Sequence, residues 1–490
     1  MVAVPQELSN SEVPGSPEYA ARMRYAWRVV SVTSLALVLI GLSVSTLNVA
    51  LPVLVRHFHA GPLASTWLLL SYLLVSTSTL VFAGRLADVL GRREVYLLGF
   101  ALFTVSSLLA GFAPDVGLVI AMRVVQGLGA GMLLANGTVL IADAFPPGRL
   151  GRGMGVYLAT LSVAQLAGPT VGGVIAELAG WRWIFWVNVP FGVVAVVWGA
   201  MTLRKMPRGP RVSLDSGGNL LIFAIVAAAL VSLSEAGSAG FAHPLVLGAG
   251  GLALVLVPVL IVVERRAANP ALDLRLFAER VLAMANIASF WNALARSALV
   301  LITALYFQAA RGMDTLTAGL AVLPAPVGMA LASPITGFIE RRVSPYATSV
   351  AGAVISCGGL LILMLSPGPD TAYWVIATGL FLAGCGNGTF LTGNTTYVLN
   401  LLPAESRGVM NGVRLTIMNV GIVLSVGVAL GVITGPVSPE LRAQVYQGTL
   451  SRLSPVAVDQ LMTGFERAYA FLFAVTVLSI VFAVFARRRA

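Results

Sequence analysis

Charge is scarce in this chain. Of its 490 residues, 10% are Asp, Glu, Lys or Arg and 58% are apolar. That excludes an ordinary soluble globule, which carries about a quarter of its residues charged. Cysteine is rarer still: Cys357 and Cys385 fall inside apolar runs without ligand spacing, and His57, His59 and His243 form no cluster, so neither a metal nor a cofactor is implied. The single lysine, Lys205, is not preceded by the Gly-x-x-x-x-Gly spacing of a phosphate-binding loop. An enzyme embedded in a membrane would need a cluster of acids, histidines or metal ligands near one face, and none is present, so the chain is not read as an enzyme. A net charge of +11 would suggest nucleic acid as partner of a soluble protein. Here it reflects threading through a bilayer, and no nucleic-acid partner is expected.

Long apolar runs are what the sequence has instead. About fourteen stretches between residues 29 and 486 are long enough, at about 1.5 Å per residue, to cross a ~30 Å hydrocarbon core. The expectation is an all-α, multi-pass membrane protein. An even number of crossings puts both termini on one side. Twenty-two arginines and lysines fall on that side against six on the other, so both termini are expected in the cytoplasm, with the chain in the inner membrane of a bacterial cell. Residues 1–28, polar and rich in proline, read as a cytoplasmic tail and not as a cleaved signal peptide. Arg487, Arg488 and Arg489 read as an anchor to anionic lipid. Residues 435–466 read as an external loop, either a cap on an exit or inert surface.

One charged island interrupts the early runs, Gly84-Arg-Leu-Ala-Asp88-Val-Leu-Gly91-Arg92-Arg93. Its glycines allow a tight loop, Asp88 can meet a helix N-terminus, and the arginines suit a cytoplasmic face. The spacing resembles the loop between helices two and three of the major facilitator superfamily. A repeat is the second signal. Gly127-Leu-Gly-Ala-Gly131 and Gly384-Cys-Gly-Asn-Gly388 stand 257 residues apart, and the same offset superposes Gly151 on Gly408 and Gly155-Val156 on Gly412-Val413. The reading is two six-helix bundles, 29–203 and 281–490, joined by 204–280 with an inserted helix pair. Fourteen helices so arranged resemble the superfamily's drug:proton antiporter branch over nearly the whole chain. The implied fold holds a cavity between pseudo-symmetric halves that rock about a midplane site.

Three further stretches refine the resemblance. Arg123-Val-Val-Gln126-Gly127 on the fourth helix is similar to the family's buried-arginine motif. Gly155, Gly168-Pro169 and Gly172-Gly173 on the fifth are similar to the motif that marks exporters, with Ala164 replacing one glycine; proline bends a helix, and the glycines permit close contact with the other half. The first helix departs from the family. Its Asn48-Val-Ala-Leu-Pro52 segment is present, but the position five residues earlier, an aspartate in the family, is Ser43. The acids otherwise lie in loops or within a turn or two of a helix end, whereas Arg123, Arg296 and Arg414 lie within spans.

Counted from the outer helix ends, Ser43 and Arg123 come to similar depth, about 12 and 9 Å. Ser43, Asn48, Arg123, Gln126 and Arg296 are therefore the candidate cavity residues, with the arginines meeting an anionic group or several acceptors of a solute. Arg414 reads as snorkelling. The gate is assigned to Gly84, Asp88, Gly91, Arg92 and Arg93, with Asp88 docking near Arg407, and Gly337 to Arg342 is its weaker counterpart. Trp181, Trp183 and Trp186 read as an interfacial belt. The leading reading is a secondary-active exporter of small amphipathic molecules. Protons are the coupling ion that the family implies and that the missing carboxylate speaks against. An importer or exchanger of one organic anion is the alternative. The molecule is expected as a monomer in membrane lipid.

Overall fold

The computed structural model describes residues 16–60, 62–146, 148–205, 216–239, 243–267, 279–313, 315–366, 368, 371–403, 407–434 and 455–487. Seventeen helices and no strand occur among them. They are α1 (Pro17–Phe58), α2 (Pro62–Ser78), α3 (Leu80–Leu90), α4 (Arg92–Gly111), α5 (Val116–Ala144), α6 (Leu150–Leu178), α7 (Arg182–Trp186), α8 (Asn188–Thr202), α9 (Ser216–Ala239), α10 (Pro244–Arg266), α11 (Arg280–Arg311), α12 (Thr315–Ala321), α13 (Pro324–Ile339), α14 (Pro345–Leu365), α15 (Tyr373–Leu401), α16 (Arg407–Thr434) and α17 (Pro455–Phe485). Among the described residues, ten helical segments, with α7–α8 and α12–α13 counting as one each, are long and apolar enough to cross a membrane, or eleven if the bent pair α2–α3 is one span.

Local chemistry explains the breaks. The α2–α3 bend of 47° falls in a run of hydroxyl residues, where Thr79 Oγ1 donates to the Val75 carbonyl at 2.7 Å and Ser76 Oγ to that of Leu73 at 3.1 Å. Such back-bonding weakens the helical ladder and bends it. Pro324 opens α13, where its missing N–H is not needed. Between α3 and α4 a single residue turns the chain: Gly91 has φ +106°, a conformation that L side chains rarely adopt. The charged island is thus not a loop throughout, because residues 84–90 are the last turns of α3 and only Gly91 is the turn.

Two other expectations are corrected. The tail was to run to residue 28, yet α1 begins at Pro17, behind a Ser16 hydroxyl that accepts from the Tyr19 N–H. Arg22 in this extension donates to the carbonyls of Ala144 and Phe145 at 3.4 and 3.2 Å, closing the end of α5. The external loop was to run to residue 466, yet 455–466 are helical; Leu461 and Phe465 are buried, and Gly464 lies against the Ile433 carbonyl. Residues 1–15, the linker stretches 206–215 and 268–278, the stretch 435–454, and Arg488 and Arg489 lie outside the described residues.

Packing follows the repeat. In lipid no hydrophobic drive pulls helices together, so close approach and buried hydrogen bonds carry the association. On α5, Gly127 and Gly131 lie on α2 and Gly129 on α4; on α15, Gly384 and Gly388 lie on α13 and Gly386 on α14. The two Gly-x-Gly-x-Gly segments therefore face corresponding neighbours. The halves meet along two seams, α3 with α16 and α6 with α13. The inserted pair is more than a spacer: α9 packs on α2, α3 and α16, and Ile222 and Val226 join Val81, Val409 and Val413 in one apolar cluster across the first seam.

A substitution tests whether the glycines of the repeat bear this packing. A side chain at Gly386 would run into the backbone of Ser356. Gly386→Val is expected to cost about 1–3 kcal/mol of stability, read as a lower melting temperature in detergent. Unchanged melting would contradict the packing role.

Candidate functional site

The arginine-rich ends of the helices hold the first part of the site. Asp88, on the last turn of α3, lies against Gly408 at the start of α16; a methyl there would stand 2.7 Å from its Oδ1. Gly84, one turn earlier, touches the Gly408 backbone. Arg92 Nη2 pairs with Asp88 Oδ1 at 3.3 Å, and its Nη1 pairs with Asp143 Oδ2. Asp143 Oδ1 in turn accepts from Arg407 Nη1 at 3.1 Å. The chain Asp88–Arg92–Asp143–Arg407 begins in one half and ends in the other. Charge-assisted bonds of this kind are strong where they are mostly buried. Arg93 is not part of it: its Nη2 donates to the Ala200 carbonyl at 2.9 Å, within its own half.

Higher along the same seam, Asn411 Nδ2 donates to the Ala135 carbonyl at 2.7 Å and Asn419 Nδ2 to Thr77 Oγ1 at 3.0 Å. These two and the Arg407 bond are the three hydrogen bonds between described residues that join the halves, and α16 donates all three. Arg414, expected to snorkel, is instead 2% exposed. It donates to Thr395 Oγ1 at 3.1 Å and to Asn411 Oδ1 at 3.3 Å, which holds the Asn411 amide with its N–H₂ toward the other half.

The opposite seam repeats the contact with other residues. Gly337 at the end of α13 touches the Gly151 backbone, Gly155 touches that of Ser333, and the Glu340 carboxyl lies against Gly151 at the start of α6. Gly151 and Gly408 are 257 residues apart, as are Gly155 and Gly412, and Gly412 meets the Leu80 carbonyl. Each half therefore lays an acid on the first turn of a helix from the other, where the helix dipole favours negative charge. Burial pushes the Glu340 carboxyl up to about 7, against the opposing pull of the Thr348 hydroxyl, whose Oγ1 donates to its Oε1 at 3.1 Å.

The expected cavity residues divide. Ser43, Arg123 and Gln126 come together, but in a closed cluster. Arg123 is 2% exposed, which corrects its placement in a cavity. Its Nη1 donates to Ser43 Oγ at 3.1 Å and Gln126 Oε1 at 2.6 Å, its Nε donates to the Leu68 carbonyl at 3.3 Å, and its guanidinium carbon stands 4.2 Å from the centre of the Tyr72 ring. Gln126 Nε2 donates on to Ser107 Oγ at 2.7 Å. Neutral oxygens and an aromatic face thus replace a counter-ion. Arg296, the seventeenth residue of the 32-residue α11, is different: it is half-buried and makes no hydrogen bond or ion pair with any described residue. One turn before it, Ala293 packs in the core shared by both halves, so Arg296 shares the helix face turned to the seam. Asn48 lies on α1, five residues beyond Ser43.

The exporter-type motif is also divided. Gly155 contacts the other half, as expected of the motif, but Gly168 and Gly172 lie against Ser45 and Thr46 of α1, in their own half. Pro169 and Gly173 stand on the same helix α6, which runs unbroken to Leu178. Of the tryptophans read as an interfacial belt, Trp183 is 50% exposed, but Trp181 is buried among Phe58, Phe185 and His57. Sequence reasoning missed Asp143, Asn411 and Asn419 as links between the halves. A polar side chain inside an otherwise apolar helix was the available signal for the asparagines. Among the described residues no group of His, Cys, Asp and Glu could hold a metal ion.

The family model described as Major Facilitator Superfamily matches residues 33–426. Multidrug resistance protein Stp of Mycobacterium tuberculosis is 32% identical over 384 residues, 78% of this chain and 71% of that protein. The Tetracenomycin C resistance and export protein of Streptomyces glaucescens is 27% identical over 91% of this chain and 82% of its own, and Riboflavin transporter RibZ of Clostridioides difficile 27% over 82% and 87%. Among solved structures, the human organic anion transporter MFSD10 superposes with a TM-score of 0.66 at 16% identity, covering 94% of this chain and 99% of that one. At that identity the match speaks for the fold alone.

Two measurements test the gate. Asp143→Asn removes both of its ion pairs at nearly constant shape. It is expected to weaken closure of the basic end by an amount between the ~1 kcal/mol of surface pairs and the ~3–5 kcal/mol of buried ones. A cysteine replacing Leu415, with Cys357 and Cys385 changed to serine, should then react faster with a polar thiol reagent, and an unchanged rate would count against the latch. The Glu340 contact is pH-dependent. Because closure raises its pKa, protonation favours closure; the advantage is complete below the usual carboxylate range and is lost as pH rises through about 7. The closed fraction should fall between about pH 5 and pH 8, and Glu340→Gln should flatten the profile.

Proposed function

The chain belongs to the Major Facilitator Superfamily, and from that premise we propose that it exports small amphipathic molecules by alternating access, as a multidrug or metabolite efflux transporter. The observation that carries this reading is the distribution of contacts between the halves. Among the described residues, the three joining hydrogen bonds, both glycine seams and both docked acids lie toward the arginine-rich end, while Arg296 stands half-buried at mid-helix without a hydrogen bond or ion pair. A closure confined to one end of the molecule supports alternating access, in which one end is closed at a time. The resistance and export proteins among its relatives favour the outward direction.

If α2–α3, α7–α8 and α12–α13 are each one broken span, the helices make fourteen crossings: bundles of six on either side of α9 and α10. The excess of arginine supports a cytoplasmic position for the latched end and both termini, with the chain in a bacterial inner membrane. Ser43 holds the position of the family's aspartate, so Asp88, Asp143 and Glu340 at the seams are the acids through which a proton gradient would act. Arg296 favours a second reading, exchange or import of an organic anion, because an unpaired mid-span cation is costly unless something anionic visits it.

Purified protein in proteoliposomes with an imposed pH gradient separates the readings. Gradient-driven movement of a lipophilic cation supports coupled efflux. Movement of an organic anion that stops in Arg296→Ala supports the second reading. The absence of flux for either class would contradict both.

A further inference from the structure

Beside the second seam lies a cleft of about 770 Å³ that the gate does not use. Arg149, just before α6, forms one side of it, and Arg341 and Arg342, just after α13, form the other; Ile335, Phe338 and Ile339 complete the wall. The basic residues thus come from both halves, beside the place where Glu340 and Gly337 meet Gly151. They carry no internal compensation: none of Arg149, Arg152, Arg341 and Arg342 has an ion-pair partner among the described residues. Arg149 and Arg341 act on Arg152 as repulsive neighbours, and Arg152 rests over the Phe338 ring at 5.0 Å. Glu340, the nearby acid, is turned into the seam toward Gly151.

The apolar wall is not isolated. Leu331, Ile335, Phe338 and Ile339 are 53%, 57%, 50% and 46% exposed along one side of α13, which with α12 forms the segment Thr317–Ile339 that is long and apolar enough to cross the membrane. The cleft therefore opens where a lipid-facing strip ends in clustered guanidinium groups. A soluble anion would satisfy the arginines but leave the strip wet. A peptide would have to enter the bilayer edge.

We propose that this cleft binds the headgroup of an anionic phospholipid, its phosphate between Arg149 of one half and Arg341 and Arg342 of the other, with an acyl chain along Ile335 and Phe338. A headgroup held this way ties the two halves together at the basic end. Bound lipid then favours the closed gate by relieving arginine repulsion that closure would otherwise build up. The inference is independent of which solute is carried.

Native mass spectrometry of the full-length protein, titrated with phosphatidylglycerol, with phosphatidylcholine or with inorganic phosphate, provides the test. Phosphatidylglycerol is expected to be retained and the other two are not. Changing Arg149, Arg341 and Arg342 together to Gln should weaken retention roughly 100-fold at low salt, and changing exposed Arg341 or Arg342 alone should weaken it about fivefold. The single variants carry the test should the triple variant melt below the wild type in lipid-free detergent. Equal retention of phosphatidylcholine, displacement by inorganic phosphate at matched concentration, or single variants that bind as the wild type does would each overturn the proposal.

Discussion

The shared carboxylate of Asp143 is the interaction on which the arrangement turns. One oxygen pairs with Arg92 of its own half and the other accepts from Arg407 of the opposite half. An ion pair removed from water is a poor source of net stability, because desolvation offsets most of the attraction. It is a good register device, since displacing either partner leaves a charge stranded. A carboxylate divided between halves thus favours two defined arrangements, fully engaged or fully hydrated, over any intermediate one. That is what a gate requires of its latch, and the asparagines above it extend the same seam upward along α16.

Around this latch the duplicated sequence yields a duplicated contact, but not an identical one. Gly84 with Gly408 and Gly337 with Gly151 bring backbones together at both seams, and Asp88 and Glu340 each approach the first turn of the facing helix. Among the described residues, only the side of α16 carries the shared ion pair and the amide bonds, which run from α16 to α5 and α2 beside the α3–α16 contact. The α6–α13 seam relies on close packing, with an acid whose charge depends on pH near neutrality. Rocking of the halves therefore breaks directional bonds on one side and slides glycine surfaces on the other. The inserted pair bears on the directional side, where α9 covers α3 and α16 together.

The legible part of the molecule was that governed by local rules. Apolar runs gave the helices, Gly91 gave the turn, and the 257-residue offset gave the correspondence of α5 with α15 and of α6 with α16. Contacts distant in sequence were legible only in outline. Asp143 looked like an ordinary helix-end acid because its partner Arg407 is 264 residues away. Arg123 was read as meeting an anionic group or several acceptors of a solute, since spacing along α5 does not reveal that Tyr72, Ser43, Gln126 and the Leu68 carbonyl converge on it. Arg414 looked near enough to a helix end to reach water, but Thr395 and Asn411 hold it inside. Gly168 and Gly172 are the opposite case: the motif was visible, and which neighbour its glycines admit was a tertiary fact.

The central claim is that the basic end opens and closes as a unit while the outer part of the molecule does the reverse. Pulsed spin-label distance measurement between Leu90, at the exposed end of α3, and Val343, beyond the end of α13, tests it most directly in protein whose native cysteines are replaced. The account predicts two distance populations, a short one for the latched conformation and a longer one, with a balance that shifts when a transported solute is added. A single distribution that stays the same with solute and across pH would contradict it.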